Sequence, residues 1–161
     1  FMTSIVKIPS MQRKEYDRLL LENHLSRIAF TKDNRAYIAP FLYVFDGKRL
    51  YFLPTRYGKK MDFFKTNPHV SVEVEDVAHD MSYYRFVTLS GRLEEVVHPE
   101  KKHEVRRMFA DLIENRTLSE NALNALGIGS HEPVSEILNS NRSMVWALTG
   151  VDSITALKDT N

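Results

Sequence analysis

Alternating apolar and polar positions occur along much of the chain and predict a protein built mainly of β-strands. The clearest alternation lies in residues 69–77, where Val70, Val72 and Val74 occupy one face and mostly polar side chains occupy the other. A period of two residues is typical of a strand with one buried face. Five further stretches have the composition of strands: residues 26–31, 37–45, 49–53, 87–97 and a closing segment within 143–157.

Helical spacing of apolar residues and local end signals predict three longer helices between these strands. The helices are residues 11–23 with Ser10 as the N-cap, residues 57–66, and residues 99–115 with Pro99 in the first turn. Asn67 and Pro68 end the second helix, because proline cannot extend it. Residues 116–141 indicate only short helices and loops.

Two glycines mark special positions in the predicted strands. Asp46-Gly47 is the strongest short hairpin signal in the chain, because a primed turn needs positive φ. Gly91, inside a strand, indicates a bulge or bend. About six antiparallel strands with flanking helices predict a mainly β protein with helices, closed or partly closed as a β-barrel, because closure removes exposed sheet edges.

Composition narrows the class of protein without identifying a ligand. The 161 residues fit one domain, placed at residues 2–161, with Phe1 set aside as an expected cloning remnant. Lys and Arg total 22 and Asp and Glu total 21, so the charge balance indicates no nucleic-acid partner and no membrane surface. The chain has no cysteine, which excludes disulfides, thiolate zinc sites and cysteine nucleophiles. No secretory pattern is visible, and we expect a cytoplasmic protein.

The step Gly58-Lys59-Lys60 points to a class of ligand. Two ammonium groups stand at the start of the predicted 57–66 helix, shortly after a strand. The first amides of a helix lack intrahelical partners and the helix dipole favours an anion, so this place suits a phosphate, with Thr55 as a further donor. The alternative is a pair of ordinary solvated lysines. Two cations at a helix N-terminus oppose the dipole, and an anionic ligand would reverse that effect.

Other residues give weaker chemical signals. The strand aromatics are typical of core and cross-strand packing; they are Phe41, Tyr43, Phe45, Tyr51 and Phe52. Pro40 lacks an amide hydrogen, which indicates an edge, a bulge or a ligand-facing position. No pair of histidines has the His-x-x-x-His spacing of a helical metal site, so we expect no metal. A Ser-His-Asp arrangement stays open, while Gly-x-Ser-x-Gly and Gly-x-Gly-x-x-Gly fingerprints are absent.

The charge-rich run of residues 100–107 is typical of a solvated helix face with opposite charges about a turn apart. A nucleic-acid patch is the alternative interpretation of this run.

Four segments follow one another at a characteristic spacing: Ala39-Pro40-Phe41-Leu42, Leu50-Tyr51-Phe52, Gly58-Lys59-Lys60 with Asn67-Pro68, and the run Arg85 to Arg92. In this order the chain resembles the pyridoxamine 5'-phosphate oxidase-like flavin-binding split barrels. It looks closest to their nitroimidazole-resistance-like branch, and the resemblance extends from Tyr16 to Ile154.

The resemblance implies a split β-barrel that binds flavin mononucleotide (FMN). In proteins of this type the phosphate lies on the lysine pair, the turn before it approaches the ribityl chain, and an earlier strand lies against the isoalloxazine ring. Carried over to this chain, the implied cofactor-binding residues are Pro40, Phe41, Leu42, Leu53, Thr55, Lys59, Lys60, Arg85 and Phe86.

The resemblance also implies a homodimer with the flavin at the subunit interface, where Arg85 and Phe86 would face the partner's flavin. The implied activity is flavin-dependent oxidoreduction of a small-molecule substrate, by hydride transfer through flavin N5.

Three positions depart from the family pattern. Leu53-Pro54 stands where the nitroimidazole-resistance-like branch often has a histidine and a small residue. Phe86 stands where that branch often has serine, and Ile38 where the oxidases proper use an arginine. The sequence therefore names no catalytic residue. A non-catalytic flavin-binding module, or the same fold with deazaflavin or haem, remains the alternative.

Overall fold

Seven antiparallel strands form one curled sheet in the computed structural model, which describes residues 3–159. The strands are β1 (Leu25–Lys32), β2 (Arg35–Leu42), β3 (Val44–Phe45), β4 (Leu50–Phe52), β5 (His69–Val77), β6 (Tyr84–Glu95) and β7 (Trp146–Lys158). Their order across the sheet is β2-β1-β5-β6-β7-β4-β3. The predicted domain ends, Met2 and Asn161, and the remnant Phe1 lie outside the described residues.

The curl of the sheet follows from one short connection. Strands β2 and β3 are consecutive in the chain but lie at opposite edges of the sheet, and only Tyr43 separates them. One residue spans at most about 3.6 Å, so the two edges must approach each other. Tyr43 is buried, and its hydroxyl donates a hydrogen bond to the Leu20 carbonyl oxygen at 2.7 Å.

The prediction of a mainly β split barrel with flanking helices is confirmed by this half-barrel. The strand count is seven rather than about six, because the predicted strand over residues 37–45 is divided at Tyr43, where the chain passes from one sheet edge to the other.

Five helices flank the sheet: α1 (Arg13–Glu22), α2 (Lys59–Thr66), α3 (Pro99–Glu114), α4 (Ala122–Ala125) and α5 (Glu136–Asn139). The prediction of Ser10 as the first N-cap is wrong. Gln12 occupies that position, and its backbone amide donates to the Glu15 carboxylate at 3.0 Å, as in a capping box. Ser10 instead forms a bridge with Leu157. None of the helices in residues 3–159 is long and apolar enough to cross a membrane.

The turn between β3 and β4 differs from the predicted one. Asp46-Gly47 does lie in a hairpin, but Phe45 pairs with Leu50, so the loop has four residues and is not a two-residue primed turn. The Asp46 carboxylate satisfies the amides of Lys48 and Arg49 at 2.9 and 2.8 Å, which stabilises the longer loop. The predicted irregularity at Gly91 is confirmed, because the register between β6 and β7 shifts there.

Two hydrophobic cores lie on opposite sides of the same strands. The main core, inside the curled sheet, contains the fully buried Phe30, Phe52 and Trp146. The second core contains Tyr51 and residues of α3, α4 and α5. Alternate residues of β4 and the start of β7 enter different cores, so these strands are apolar on both faces.

Candidate functional site

A cavity of about 400 Å³ opens beside the edge strand β2. Five parts of the chain form it: the start of β1, strand β2, the turn after β4, the first turn of α2, and α4 with the residue that follows it. Its lining residues are Leu25, Tyr37, Ala39, Pro40, Phe41, Leu42, Leu53, Pro54, Thr55, Lys60, Ala122, Ala125 and Leu126. This volume lies within the usual range for small-molecule and cofactor sites.

Strand β2 supplies the first wall of the cavity. Within the described residues β2 pairs only with β1, so the missing amide hydrogen of Pro40 costs no sheet hydrogen bond. The expectation of an edge position for Pro40 is confirmed. Phe41 anchors this wall, because its ring packs against Phe52 and Trp146 at centroid distances of 6.2 and 5.9 Å.

Lys60 supplies the positive charge of the cavity. Its Nζ donates to Thr55 Oγ1 at 2.7 Å and to the Tyr57 carbonyl oxygen at 3.0 Å. Among residues 3–159 it forms no ion pair with a carboxylate. Lys60 is half-buried, and burial lowers its pKa. The lysine charge is therefore held by neutral oxygen atoms at the cavity wall.

Helix α2 begins later than the sequence indicated. The expected start was Tyr57, but the first helical residue is Lys59 and the N-cap is Gly58 at φ 96°. Positive φ at Gly58 turns the chain sharply from the strand end into the helix. Lys59 and Lys60 are thereby the first two residues of the helix, where the dipole favours an anion.

Lys59 lies outside the cavity lining. Its side chain is exposed, and its Nζ lies 4.8 Å from the ring centroid of Tyr37 and 5.8 Å from that of Phe63. Tyr37 lines the cavity, so Lys59 contacts a residue of the cavity wall without lining the cavity itself. The two lysines, which look alike in the sequence, have different surroundings.

Arg85 and Phe86 are not brought to the cavity within one chain. Arg85 pairs with Asp76 across the strands at 2.5 Å and with Glu22 at 3.6 Å, and the Asp76 hydrogen bond raises its pKa. Phe86 stacks on Tyr84 with a centroid distance of 5.6 Å. Their contact with a partner's flavin stays a prediction.

Helix α4 is the part of the site that the sequence did not reveal. Ala122, Ala125 and Leu126 form a wall opposite β2, and the turn after them brings Gly127 against Thr55. Small and apolar residues in a short helix carry no chemical signal. Only the positive φ and close approach of Gly127 single out this segment, and both are properties of the folded chain.

The cavity offers binding groups and few groups for proton transfer. Among its described lining residues, Tyr37 and Lys60 are the titratable side chains, and no carboxylate or imidazole is present. Leu53 and Pro54, which stand where the nitroimidazole-resistance-like branch often has a histidine and a small residue, line the cavity. No group of three or more His, Asp or Glu side chains within residues 3–159 is arranged to hold a metal ion. One cation, the hydroxyl groups of Thr55 and Tyr37, and apolar walls fit a flat ring that carries a phosphate.

Comparison with known proteins identifies the family of this chain. The family described as pyridoxamine 5'-phosphate oxidase matches residues 12–132. A relative in Rhizobium meliloti (strain 1021), the uncharacterized protein RA0666, is 26% identical over 145 residues, which are 90% of this chain and 91% of that protein.

Solved structures show the same fold at low sequence identity. The FAD-binding protein mll6688 of Mesorhizobium loti superposes with a TM-score of 0.69 at 20% identity, covering 96% of this chain and all of that one. The heme storage protein HutZ of Vibrio cholerae superposes with a TM-score of 0.66 at 12% identity, covering 91% and 94%. The family match spans well over half of the chain and includes every lining residue of the cavity. The chain therefore belongs to the pyridoxamine 5'-phosphate oxidase family.

Proposed function

We propose that this protein binds FMN in the cavity beside β2, with the phosphate on Lys60 and the ring along residues 40–42. The observation that carries the proposal is the Lys60 ammonium, which lines the cavity, bonds to Thr55 at 2.7 Å and has no carboxylate partner among residues 3–159. A phosphate dianion would supply the missing counter-charge and accept from both the ammonium and the Thr55 hydroxyl.

The walls suit the remainder of the cofactor. Phe41 and Leu42 on one side and Ala125 and Leu126 on the other form a mostly apolar slot, in which a planar ring loses contact with water. Small alanine side chains on α4 leave room for a flat group against β2. Lys59, over the Tyr37 ring, adds positive potential at the rim of the same slot.

The proposed activity is flavin-dependent oxidoreduction of a small molecule. When bound, FMN supplies hydride transfer through N5, and the protein supplies binding and orientation. Lys60 and Thr55 fix the phosphate end, and the β2 wall fixes the plane of the ring. No side chain of the cavity within the described residues stands out as an acid or base, so we assign no catalytic residue.

The choice of cofactor rests on the donor set as well as on relatives. The structural neighbours are described variously as FAD-binding proteins and a heme storage protein. Haem iron is commonly held by histidine, cysteine, methionine or tyrosine, and Tyr37 is the one such side chain among the described lining residues. The Lys60 ammonium, which has no carboxylate partner among residues 3–159, favours a phosphate-bearing flavin, and the single candidate iron ligand argues against haem.

We further propose a homodimer in which Arg85 and Phe86 approach the partner's cofactor. The stacked Tyr84 and Phe86 rings are only partly buried in the single chain, which supports a role in an interface.

The first test is the identity of the bound chromophore. Purified protein is expected to be yellow, and mass spectrometry of the released compound should give FMN. Excess FMN should raise the thermal midpoint of protein stripped of its chromophore, because a ligand of the native state stabilises it. A colourless protein whose thermal midpoint does not respond to FMN contradicts the proposal.

A non-catalytic flavin-binding module is the second candidate, and the lack of a cavity histidine or carboxylate favours it. Turnover of NADH or NADPH with added electron acceptors separates the two. Rates no faster than those of free FMN support the module, and faster saturable rates support the oxidoreductase.

A further inference from the structure

A second cavity, of about 360 Å³, lies between the first half of α3 and residues 138–141, at the end of α5 and just after it. Arg56, Lys102, His103 and Arg106 all line it. Among the described residues it shares no lining side chain with the flavin cavity. We call it the basic cleft, defined by these four residues.

The basic cleft concentrates positive charge without counter-charge. Its described lining includes no carboxylate, and neither Arg56, Lys102 nor Arg106 forms an ion pair within residues 3–159. Neighbours on the same helix behave differently. Lys101 pairs with Asp46 at 3.1 Å, and Arg107 pairs with Asp111 at 3.0 Å. The basic residues of α3 that face the cleft are thus the ones left without carboxylate partners.

Arg106 is the most informative member of the cleft, because only 5% of its surface is exposed. Its guanidinium donates to the carbonyl oxygens of Ile137 and Ser143 and to the Ser143 hydroxyl, at 2.9–3.0 Å. These neutral acceptors satisfy hydrogen bonds but leave a buried charge uncompensated, which is costly. Arg56 lines the same cleft, and burial together with the Arg56 guanidinium lowers the pKa of Arg106.

We propose that the basic cleft is a second anion site, which binds a phosphate group of a small molecule. Guanidinium groups match the geometry of phosphate oxygens, and an anion would offset the repulsion between Arg56 and Arg106. Pro99, in the first turn of α3, also lines the cleft, so the positive end of that helix dipole adds to the field. The cleft volume admits a pyrophosphate or a small phosphate ester.

Lys102→Gln tests the site with little risk to the fold. The Lys102 side chain makes no hydrogen bond or ion pair in the described part of the chain, whereas removal of Arg106 would break three hydrogen bonds. Calorimetric titration of FMN-saturated protein with inorganic pyrophosphate at constant ionic strength keeps the flavin phosphate site filled. It is expected to show one saturable site, weakened roughly tenfold by Lys102→Gln.

Two variants serve as matched controls in the same titration. Lys101→Gln removes the adjacent lysine, whose ammonium forms ion pairs with Asp46 and Glu104. Pyrophosphate affinity should change less than about twofold in this variant. Lys65→Gln removes an exposed lysine of α2 that does not line the cleft, and should also leave the affinity unchanged. Each variant is checked for an unaltered circular dichroism spectrum.

Three outcomes overturn the proposal: no saturable binding, equal weakening by Lys101→Gln and Lys102→Gln, or displacement of FMN by pyrophosphate. The last result would place the anion in the flavin cavity. Parallel titrations with inorganic phosphate and with a phosphate monoester identify the source of the group. Tighter binding of the ester indicates an organic ligand, and equal binding indicates the free ion.

Discussion

Gly127 packs against the side chain that orients Lys60. A Cβ at this position would lie 2.5 Å from Thr55 Cγ2, and the backbone there has φ +80°. Gly127→Ala is therefore expected to lower the free energy of unfolding by roughly 2–4 kcal/mol, from left-handed strain plus overpacking. It should also weaken FMN binding, because Thr55 must move. Urea unfolding and FMN titration measure both effects.

Gly47→Ala is the matched control for this substitution. Gly47 has a similar φ of +92°, but an added Cβ would meet no atom within 4 Å. Its cost should be about 1 kcal/mol, with FMN affinity unchanged. Equal costs for the two variants would contradict the packing role of Gly127.

The charge of Lys60 predicts a pH dependence of cofactor binding. Burial lowers the pKa of Lys60 below its ordinary 10.5, so in the free protein the ammonium loses its proton at a lower pH than an exposed lysine does. FMN affinity is expected to fall as pH rises through this lowered pKa. Riboflavin, which shares the ring but lacks the phosphate, corrects for titration of the flavin itself. A parallel fall for both ligands would contradict the role of the charge.

The sequence predicts a lysine at the site but does not show which of the two lysines lines the cavity. Lys59 and Lys60 are equivalent in the sequence, and the start of α2 at Lys59 decides that Lys60 lines the cavity while Lys59 stands over Tyr37. That outcome depends on the backbone at Gly58 and on contacts with β2, which no local pattern encodes.

Between α4 and β7, an ion pair holds the chain beside the site. Glu132 accepts from the Gly129 amide at 2.6 Å and from the Arg142 guanidinium at 2.5 and 2.8 Å. Arg142 and its neighbour Asn141 in turn contact Arg56, which follows Thr55. The Glu132–Arg142 pair therefore connects the segment that carries α4 to the turn beside the cavity.

Glu132→Gln tests this connection through its pH dependence. The Arg142 hydrogen bonds, followed by the Gly129 amide, lower the pKa of Glu132 from 4.5 to about 2. The stabilisation is thus fully present above pH 4.5 and is lost as pH falls from about 4.5 to about 2. The variant should have a lower thermal midpoint at pH 7, by no more than a few degrees, and the difference should shrink over that acidic range.

Glu120→Gln is the control, because Glu120 is exposed in the same segment and forms no ion pair in residues 3–159. It should leave the midpoint unchanged at every pH. A Glu132→Gln difference that persists undiminished at pH 2 would show that the carboxylate charge is not responsible.

Elements with strong local signals were predictable, and those defined by distant contacts were not. Asn67-Pro68 and Pro99 set helix ends through backbone restrictions that act within a few residues, so the end of α2 and the start of α3 were anticipated closely. The placement of α4 over the cavity depends on the packing of Leu123 in the second core, and its four residues, Ala-Leu-Asn-Ala, contain no local signal for that position.

At the scale of the whole molecule, the Tyr43 connection brings the two sheet edges together and places the cavity beside β2. A split barrel of this kind leaves one side of the site open. In the proposed homodimer the partner covers that side, so cofactor binding and dimer formation are thermodynamically linked.

Sedimentation velocity tests this linkage. FMN is expected to shift the monomer–dimer equilibrium toward the dimer at a fixed protein concentration, because a ligand that contacts both subunits binds the dimer more tightly. If the protein stays monomeric at all concentrations and still binds FMN, that result would contradict a site shared between two subunits.

The central claim is that the Lys60 ammonium binds the phosphate of FMN. FMN and riboflavin affinities of the wild type and Lys60→Gln test it most directly, with Lys65→Gln as a control at an exposed lysine in the last turn of α2. We predict that Lys60→Gln weakens FMN roughly 10- to 100-fold and riboflavin less than about twofold, while Lys65→Gln changes neither. Equal weakening of FMN and riboflavin by Lys60→Gln would contradict the account.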